Sequence, residues 1–424
     1  MSRLWMRLDN AALIFPAVRR STWVNVFRLS ATLTEEIDPL VLQKAVDALK
    51  PRFPSIYVRL GAGLFWYFLE EVSAAPRVRQ DYAYPLTHMG ARELHTCCFR
   101  VLYFKRRIAV EFFHSLSDGS GGLVYLKTLV AEYLNMKYAA CIPAENGVLD
   151  PAMPPTESEL EDSFQRSAGS CAVSRAEDTA YRLKGTQEPA AFLHLTTGIV
   201  STNALVEAAH SYGVTVTAFI CAVMTQVIIE LQAVKVPPAR QKPVKITMPV
   251  NLRKIFGGDT LRNFALVINP GVDPKLGEYT LDELCREIAN QMAVEITPKR
   301  MAGRIAANVL PSNKAVMRGA PLFLKNVALR VVYASVGECK GCLNVSNLGR
   351  VELPEAMKKY VRRIEFIIGV QYTYPNNCAI ASCGDVTCIN MIRNIREPEL
   401  ERRFFSRLVE LGIPVSIESN QRKE

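Results

Sequence analysis

The sequence predicts a mixed α/β (α+β) protein built as two sandwich lobes, each a mixed sheet flanked by helices. Three observations lead there. The chain has 424 residues, more than one small domain holds. Apolar residues make up 49% and charged residues 22%, which allows a sizeable core and excludes a disordered or fibrous chain. Strand-like and helix-like patterns alternate in both halves, separated by one break in composition.

Residues 22–34 (TWVNVFRLSATLT) have a period near two and are rich in β-branched and aromatic side chains, so they form a strand. Asp38 as N-cap and Pro39 at the first helical position then open a helix to about residue 49. Short strands follow at 57–60 and 64–70. Residues 96–104 and 107–113 flank a tight turn at Lys105 and Arg106 and form a hairpin. The chain next turns through HSLSDGSGG into a helix over 123–134. Residues 142–184 differ: prolines, acidic clusters such as ESELED and small residues give little periodicity, the mark of a linker. The expected organisation is a first lobe over 1–141, a linker or crossover over 142–190 and a second lobe over 191–424.

The second half opens with a strand at 192–200 and a helix at 203–211 ended by Gly213. A second helix, capped by Thr217, carries the apolar run AFICAVMTQVIIELQAV at 218–234. Thr225, Gln226, Glu230 and Gln232 interrupt that run, so it reads as a buried helix and no transmembrane segment is expected. Strands at 244–248 and 264–269 follow. Thr280 and Glu283 make a capping box at the head of a helix to about 294. Weakly bounded helices fill 300–336, then strands near 343–347, 363–370, 378–383 and 386–392, and a closing helix at 398–411.

The first twenty residues lack an uninterrupted apolar stretch and a small-residue cleavage site, so secretion is not expected. Eleven scattered cysteines, an odd number, fit a reduced, cytoplasmic chain in which most are small buried hydrophobes. Cys339 and Cys342 form the one C-x-x-C pair, and none of the five histidines stands where a zinc site needs its other ligands, so no metal is expected. The net charge is +10, and residues 299–363 hold thirteen Lys or Arg against three Glu. Solvated helix faces are the plain explanation. The functional one is a surface for coenzyme phosphates, an acidic carrier protein or a lipid headgroup. Nucleic acid is not expected, because apolar stretches such as VALRVVYASV dilute the basic residues and no recognition-helix pattern occurs.

The chemistry centres on His114. Asp118 and Gly119 follow it in a strand-to-helix turn, as His-x-x-x-Asp-Gly. Such a turn can project an imidazole into a cleft, while Gly119, Gly121 and Gly122 let the backbone bend or approach closely. Histidine is the side chain whose ordinary pKa suits proton removal near neutral pH. His and Asp at this spacing arise by chance in about one such chain in four, and adding Gly lowers this to roughly one in fifty. Asp118 can orient the loop or pair with an arginine. The competing reading of His114 is a hydrogen-bonded turn residue. Ser115, Ser117 and Ser120 are sequence neighbours of His114 and so unsuited to a triad. No G-x-S-x-G elbow, P-loop or dinucleotide fingerprint occurs.

FFHSLSDGSGG, residues 112–122, resembles the His-x-x-x-Asp-Gly signature of the CoA-dependent acyltransferase superfamily. That group includes chloramphenicol acetyltransferase, the plant BAHD acyltransferases, wax ester synthases, alcohol acetyltransferases and the condensation domains of nonribosomal peptide synthetases. Further matches follow in order at 248–258 (MPVNLRKIFGG), 262–264 (RNF) and 345–354 (VSNLGRVELP), and look most like the alcohol acetyltransferase and condensation-like branch.

The resemblance implies two chloramphenicol-acetyltransferase-like lobes meeting at an active-site tunnel, with acyl donor entering from one face and acceptor from the other. It implies that His114 deprotonates an alcohol acceptor, which attacks an acyl-CoA thioester directly and takes an acetyl or other short acyl group. It also implies a structural ion pair between Asp118 and Arg253, although by sequence alone Arg253 reads equally as a surface residue. The charge that develops on the thioester oxygen needs a donor. Asn263 is the first candidate and Ser346 or Asn347 the second, with the Gly119 N–H nearby; each side chain reads equally as a strand-end or turn cap. Two departures narrow the substrate. Phe113 stands where condensation domains usually carry a second histidine, which tilts against peptide-bond formation, and the BAHD Asp-Phe-Gly-Trp-Gly motif is absent. The implied partners are acyl-CoA as co-substrate and a small-molecule or lipid alcohol. The alternatives are a carrier-protein-dependent, condensation-like acyltransferase with an acidic carrier as donor, and a non-catalytic binding protein on the same fold.

Overall fold

The alternating segments assemble into three sheets, whose strands are numbered in chain order. A computed structural model describes residues 4–19, 25–173, 177–189, 192–312, 319–334, 339–371 and 374–421. A three-stranded sheet runs β1 (Trp5–Arg7), β4 (Tyr67–Glu71), β3 (Val58–Ala62). A five-stranded sheet runs β13 (Val361–Ile368), β2 (Val26–Leu33), β7 (Arg107–Phe113), β6 (Phe99–Phe104), β5 (Arg79–Gln80). The eight-stranded sheet runs β10 (Ala265–Ile268), β9 (Val244–Asn251), β12 (Leu343–Arg350), β14 (Asn376–Cys383), β15 (Val386–Arg393), β8 (His194–Ser201), β16 (Ser416–Ser419). β11 (Gly271–Val272) pairs with β9 beside that path.

Local signals placed most elements. The β6–β7 hairpin turns at Lys105 and Arg106, with Lys105 in the left-handed region at φ 49°. The strand expected over 22–34 is β2 for its described part; residues 22–24 lie outside the described residues. Asp38 caps the helix Pro39–Ala48 by accepting from the Leu40 and Val41 N–H groups. Thr280 and Glu283 form the expected reciprocal box at the head of Leu281–Glu295. The long apolar helix is Val216–Lys235, and its cap is Thr215, not Thr217: Thr215 keeps an extended backbone while its hydroxyl accepts from Ala218 N–H. By length and hydropathy this helix could cross a bilayer, but two-thirds of its most apolar window is buried. It is the spine of the second hydrophobic core, packed against Leu281–Glu295 and Glu399–Glu410.

The helix after the His motif, Gly119–Tyr138, begins four residues before its apolar pattern does. The cap explains the difference. Asp118 Oδ1 accepts from the N–H groups of Ser120 and Gly121, so the glycine-rich stretch is drawn into the first turn. This helix packs on the five-stranded sheet and fills the first core.

Two long-range features could not be read from periodicity. β13 lies in the second half of the sequence yet completes the first-lobe sheet, antiparallel to β2 with Ile364 opposite Ala31 and Ile368 opposite Phe27. Seven of the eight β2 residues are buried, so β2 could not serve as a solvent-facing edge, and β13 covers it. The sequence boundary near 142–190 therefore does not divide the sheets. The expected linker is also docked rather than free. It holds the short helices Glu157–Leu160 and Ser163–Ser167, and Glu159 receives a bidentate pair from Arg52 at 2.6 and 2.7 Å. Helices of four and five residues are too short to show a period. Residues 174–176 and 190 of that stretch lie outside the described residues.

Candidate functional site

β7 ends at Phe113, and His114 begins the turn with its N–H donating to Asn25 O at 2.9 Å, a bond that ties it to the head of β2. His114 as a whole residue is half-buried. One face of its ring stacks on Phe15, with centroids 4.4 Å apart and planes 14° from parallel, and the Phe27 ring meets it edge-on at 5.2 Å. Nδ1 lies 3.1 Å from Asn263 Oδ1. That oxygen can only accept, so the proton sits on Nδ1 and the lone pair on Nε2. Nε2 has no hydrogen-bond partner among the described residues. Burial draws the His114 pKa below the ordinary imidazole value, against the opposing pull of its own backbone, of Asp118 and of the bond to Asn263. The ring is therefore neutral at neutral pH, with a free base nitrogen.

Asp118 joins four partners. Oδ1 caps the helix, and Oδ2 accepts from Arg253 Nη1 and from Phe264 N–H, each at 2.8 Å. Burial alone would raise this carboxyl; the Arg253 charge and the hydrogen bonds outweigh it and hold the pKa below the usual carboxylate value. Arg253 donates through Nε to Thr260 O at 2.8 Å and through Nη2 to Arg262 O at 2.5 Å. The ion pair thus clamps the loop 260–263 of the second lobe onto the His114 turn of the first.

Glycine serves close approach here. A Cβ on Gly119 would come within 2.9 Å of Leu348 and 3.1 Å of Phe366, and one on Gly121 would collide with Leu261 O and Ser117 Oγ. Ser117 Oγ itself donates to Leu261 O at 2.5 Å. Asn263 is brought to His114, but as an acceptor: one amide hydrogen goes to Asp9 Oδ2 at 3.2 Å. The Asn347 amide is already engaged, donating to Thr217 Oγ1 at 3.0 Å. The Ser346 hydroxyl, on β12, and the Gly119 N–H have no partner among the described residues.

Sequence reasoning missed Asp9 and Phe15. Asp9 is wholly buried between β1 and the helix Ile14–Val18. Burial pushes its carboxyl up to about 6, with Arg262 opposing and Asp162 adding to the rise. Nothing in the N-terminal sequence marks either residue, because the partners that tie them to the site, Asn263 for Asp9 and His114 for Phe15, lie about a hundred residues or more away. A cavity of about 310 Å³ opens between the five-stranded and eight-stranded sheets, walled in part by Arg28, Arg107, Phe192, Glu365 and Asn420. Another, of about 270 Å³, adjoins the helix Gly119–Tyr138 at Thr128, Glu132 and Asn135. His114 lies in the wall of neither.

Among solved structures, the chain is similar to TRI101 of F. graminearum complexed with ethyl coenzyme A, at 9% identity over 98% of this chain and 100% of that one, with a TM-score of 0.66. It is similar to the first condensation domain of the calcium-dependent antibiotic synthetase in complex with a substrate analogue, at 12% identity over 96% of both chains and a TM-score of 0.63. It is also similar to polyketide synthase associated protein 5 from Mycobacterium tuberculosis, at 14% identity over 95% and 96% and a TM-score of 0.61. No family model and no curated protein matches the sequence. These likenesses show the fold: two lobes of mixed sheet and helix, as in CoA-dependent acyltransferases and condensation domains.

Proposed function

On a chain with the acyltransferase and condensation fold, we propose that this protein transfers an acyl group, acetyl or another short chain, from CoA to an alcohol, with His114 as general base. One observation carries the reading: a neutral imidazole with Nδ1 tied to Asn263 and Nε2 unengaged, at the clamp between the lobes. The acceptor hydroxyl gives its proton to Nε2 as its oxygen attacks the thioester carbonyl. The C–S bond breaks and the same proton passes to the departing thiolate, leaving an ester, a free thiol and a neutral ring. The Ser346 hydroxyl and the Gly119 N–H, at the positive end of a helix, are the donors we assign to the developing oxyanion. That TRI101 is complexed with ethyl coenzyme A supports CoA as donor. Eleven free cysteines support a reducing, cytoplasmic setting.

A carrier-borne donor is the second reading. It is favoured by the likeness to condensation domains and by residues 296–337, which hold seven Lys or Arg and no Asp or Glu. The test is free-thiol release from acetyl-CoA against a panel of alcohols and amines, with His114→Ala as control. Turnover that depends on His114 is expected. Release only from a carrier-bound acyl group moves the assignment to the second reading, and CoA binding without any release makes the chain a binding protein.

A further inference from the structure

The N-terminal segment reaches the site by a route that the His motif does not describe. Asp9 is wholly buried, with the nearest cationic nitrogen, Arg262 Nε, at 3.9 Å. A carboxylate in such a place is costly unless donors satisfy it. Three do: Ala12 N–H reaches Oδ1 at 2.7 Å, while the Asn263 backbone N–H and side-chain Nδ2 reach Oδ2 at 3.3 and 3.2 Å. An ionised carboxylate accepts only, so it dictates which end of the Asn263 amide faces it. The NH₂ end turns to Asp9, and the carbonyl end is left facing His114 Nδ1.

We propose that Asp9 is a positioning residue: by orienting the Asn263 amide it keeps the His114 proton on Nδ1 and the lone pair on Nε2. This rests on the reading of His114 as the base. The same segment also seats the ring. Phe15, six residues on, stacks on the imidazole, and Asn25 Nδ2 donates to Phe15 O at 3.1 Å. Asp9 touches no reacting atom, and its effect passes through Asn263.

Asp9→Asn tests the relay because it keeps the shape and changes the polarity. With the substituted side chain presenting an NH₂ group of its own, the Asn263 amide is expected to reverse, place a donor against Nδ1 and shift the ring proton to Nε2. In protein labelled with ¹⁵N-histidine, with His114 assigned by its loss in His114→Gln, the unmodified chain should show the proton on Nδ1 and Asp9→Asn should show it on Nε2. Activity should fall by at least about 10²-fold in kcat, the lower end of what a general base contributes, with KM for the thioester unchanged. The reciprocal pair Asp9→Asn with Asn263→Asp restores an acceptor opposite Nδ1 and should bring the Nδ1 proton back. A purely structural Asp9 would lower stability and leave the tautomer alone, which would overturn the proposal. So would an Nε2 proton in the unmodified chain, whether or not Asp9→Asn folds. The nitrogen signals report the tautomer without turnover, so unchanged thiol release in His114→Ala sinks the catalytic reading separately.

Discussion

At the scale of single residues the site divides into a base and a clamp, and the two should fail differently. His114→Ala should lower turnover by about 10²- to 10⁴-fold while leaving the far-ultraviolet circular dichroism unchanged. Because burial depresses the His114 pKa, the acid limb of kcat/KM should lie below 6.5, the ordinary imidazole value; a limb above that value would show a ring stabilised in its charged form. Asp118→Asn should instead cost stability, about 3–5 kcal/mol, since it strands the Arg253 guanidinium at a largely buried junction. The Asp118 carboxyl is held below its ordinary 3.8, so its stabilisation is complete above that pH and is lost as pH falls through the folded value. Denaturant titrations of the two proteins should therefore differ most near neutrality and converge in acid. His114 and Asp118 were legible from their His-x-x-x-Asp-Gly spacing, whereas Arg253 was implied only by the family resemblance of its surrounding segment. The acceptor role of Asn263 was not, since its two amide ends look alike until Asp9 and His114 are both in place.

Several elements were legible where a short-range rule governs them, although the cap of Val216–Lys235 was read two residues late. Asp38, Thr280 with Glu283, and the Lys105–Arg106 turn act through groups within a few residues, and pattern alone located them. The start of Gly119–Tyr138 was misplaced because an apolar period cannot see a turn of small residues, whereas the Asp118 carboxylate can bond it. That first turn is tight enough to test. Gly121→Ala should destabilise the protein by about 1–3 kcal/mol and reduce activity, because the new methyl meets Leu261 O, next to Arg262 and Asn263. Gly90→Ala, where a Cβ meets nothing within 4 Å, is the control and should leave the melting temperature unchanged. Equal effects from the two would show that the close approach at Gly121 is not a constraint.

On the scale of the whole molecule, the lobes are coupled by β13, by the docked 142–190 stretch and by the Asp118–Arg253 clamp. Residues 1–190 expressed alone lack the strand that covers β2, and should be insoluble or unfolded by size-exclusion and circular dichroism. Co-expression with residues 191–424 should recover a soluble complex, and independent folding of 1–190 would contradict this coupling. What the sequence determined by itself is many of the strands and helices, the caps at Asp38 and Thr280 and the His-x-x-x-Asp-Gly turn, all of which act over a few residues. Tertiary structure alone decided which strand closes the first sheet and which oxygen faces the imidazole. Those choices depend on groups 149 residues apart at His114 and Asn263 and 254 apart at Asp9 and Asn263, and no local period carries information over such distances.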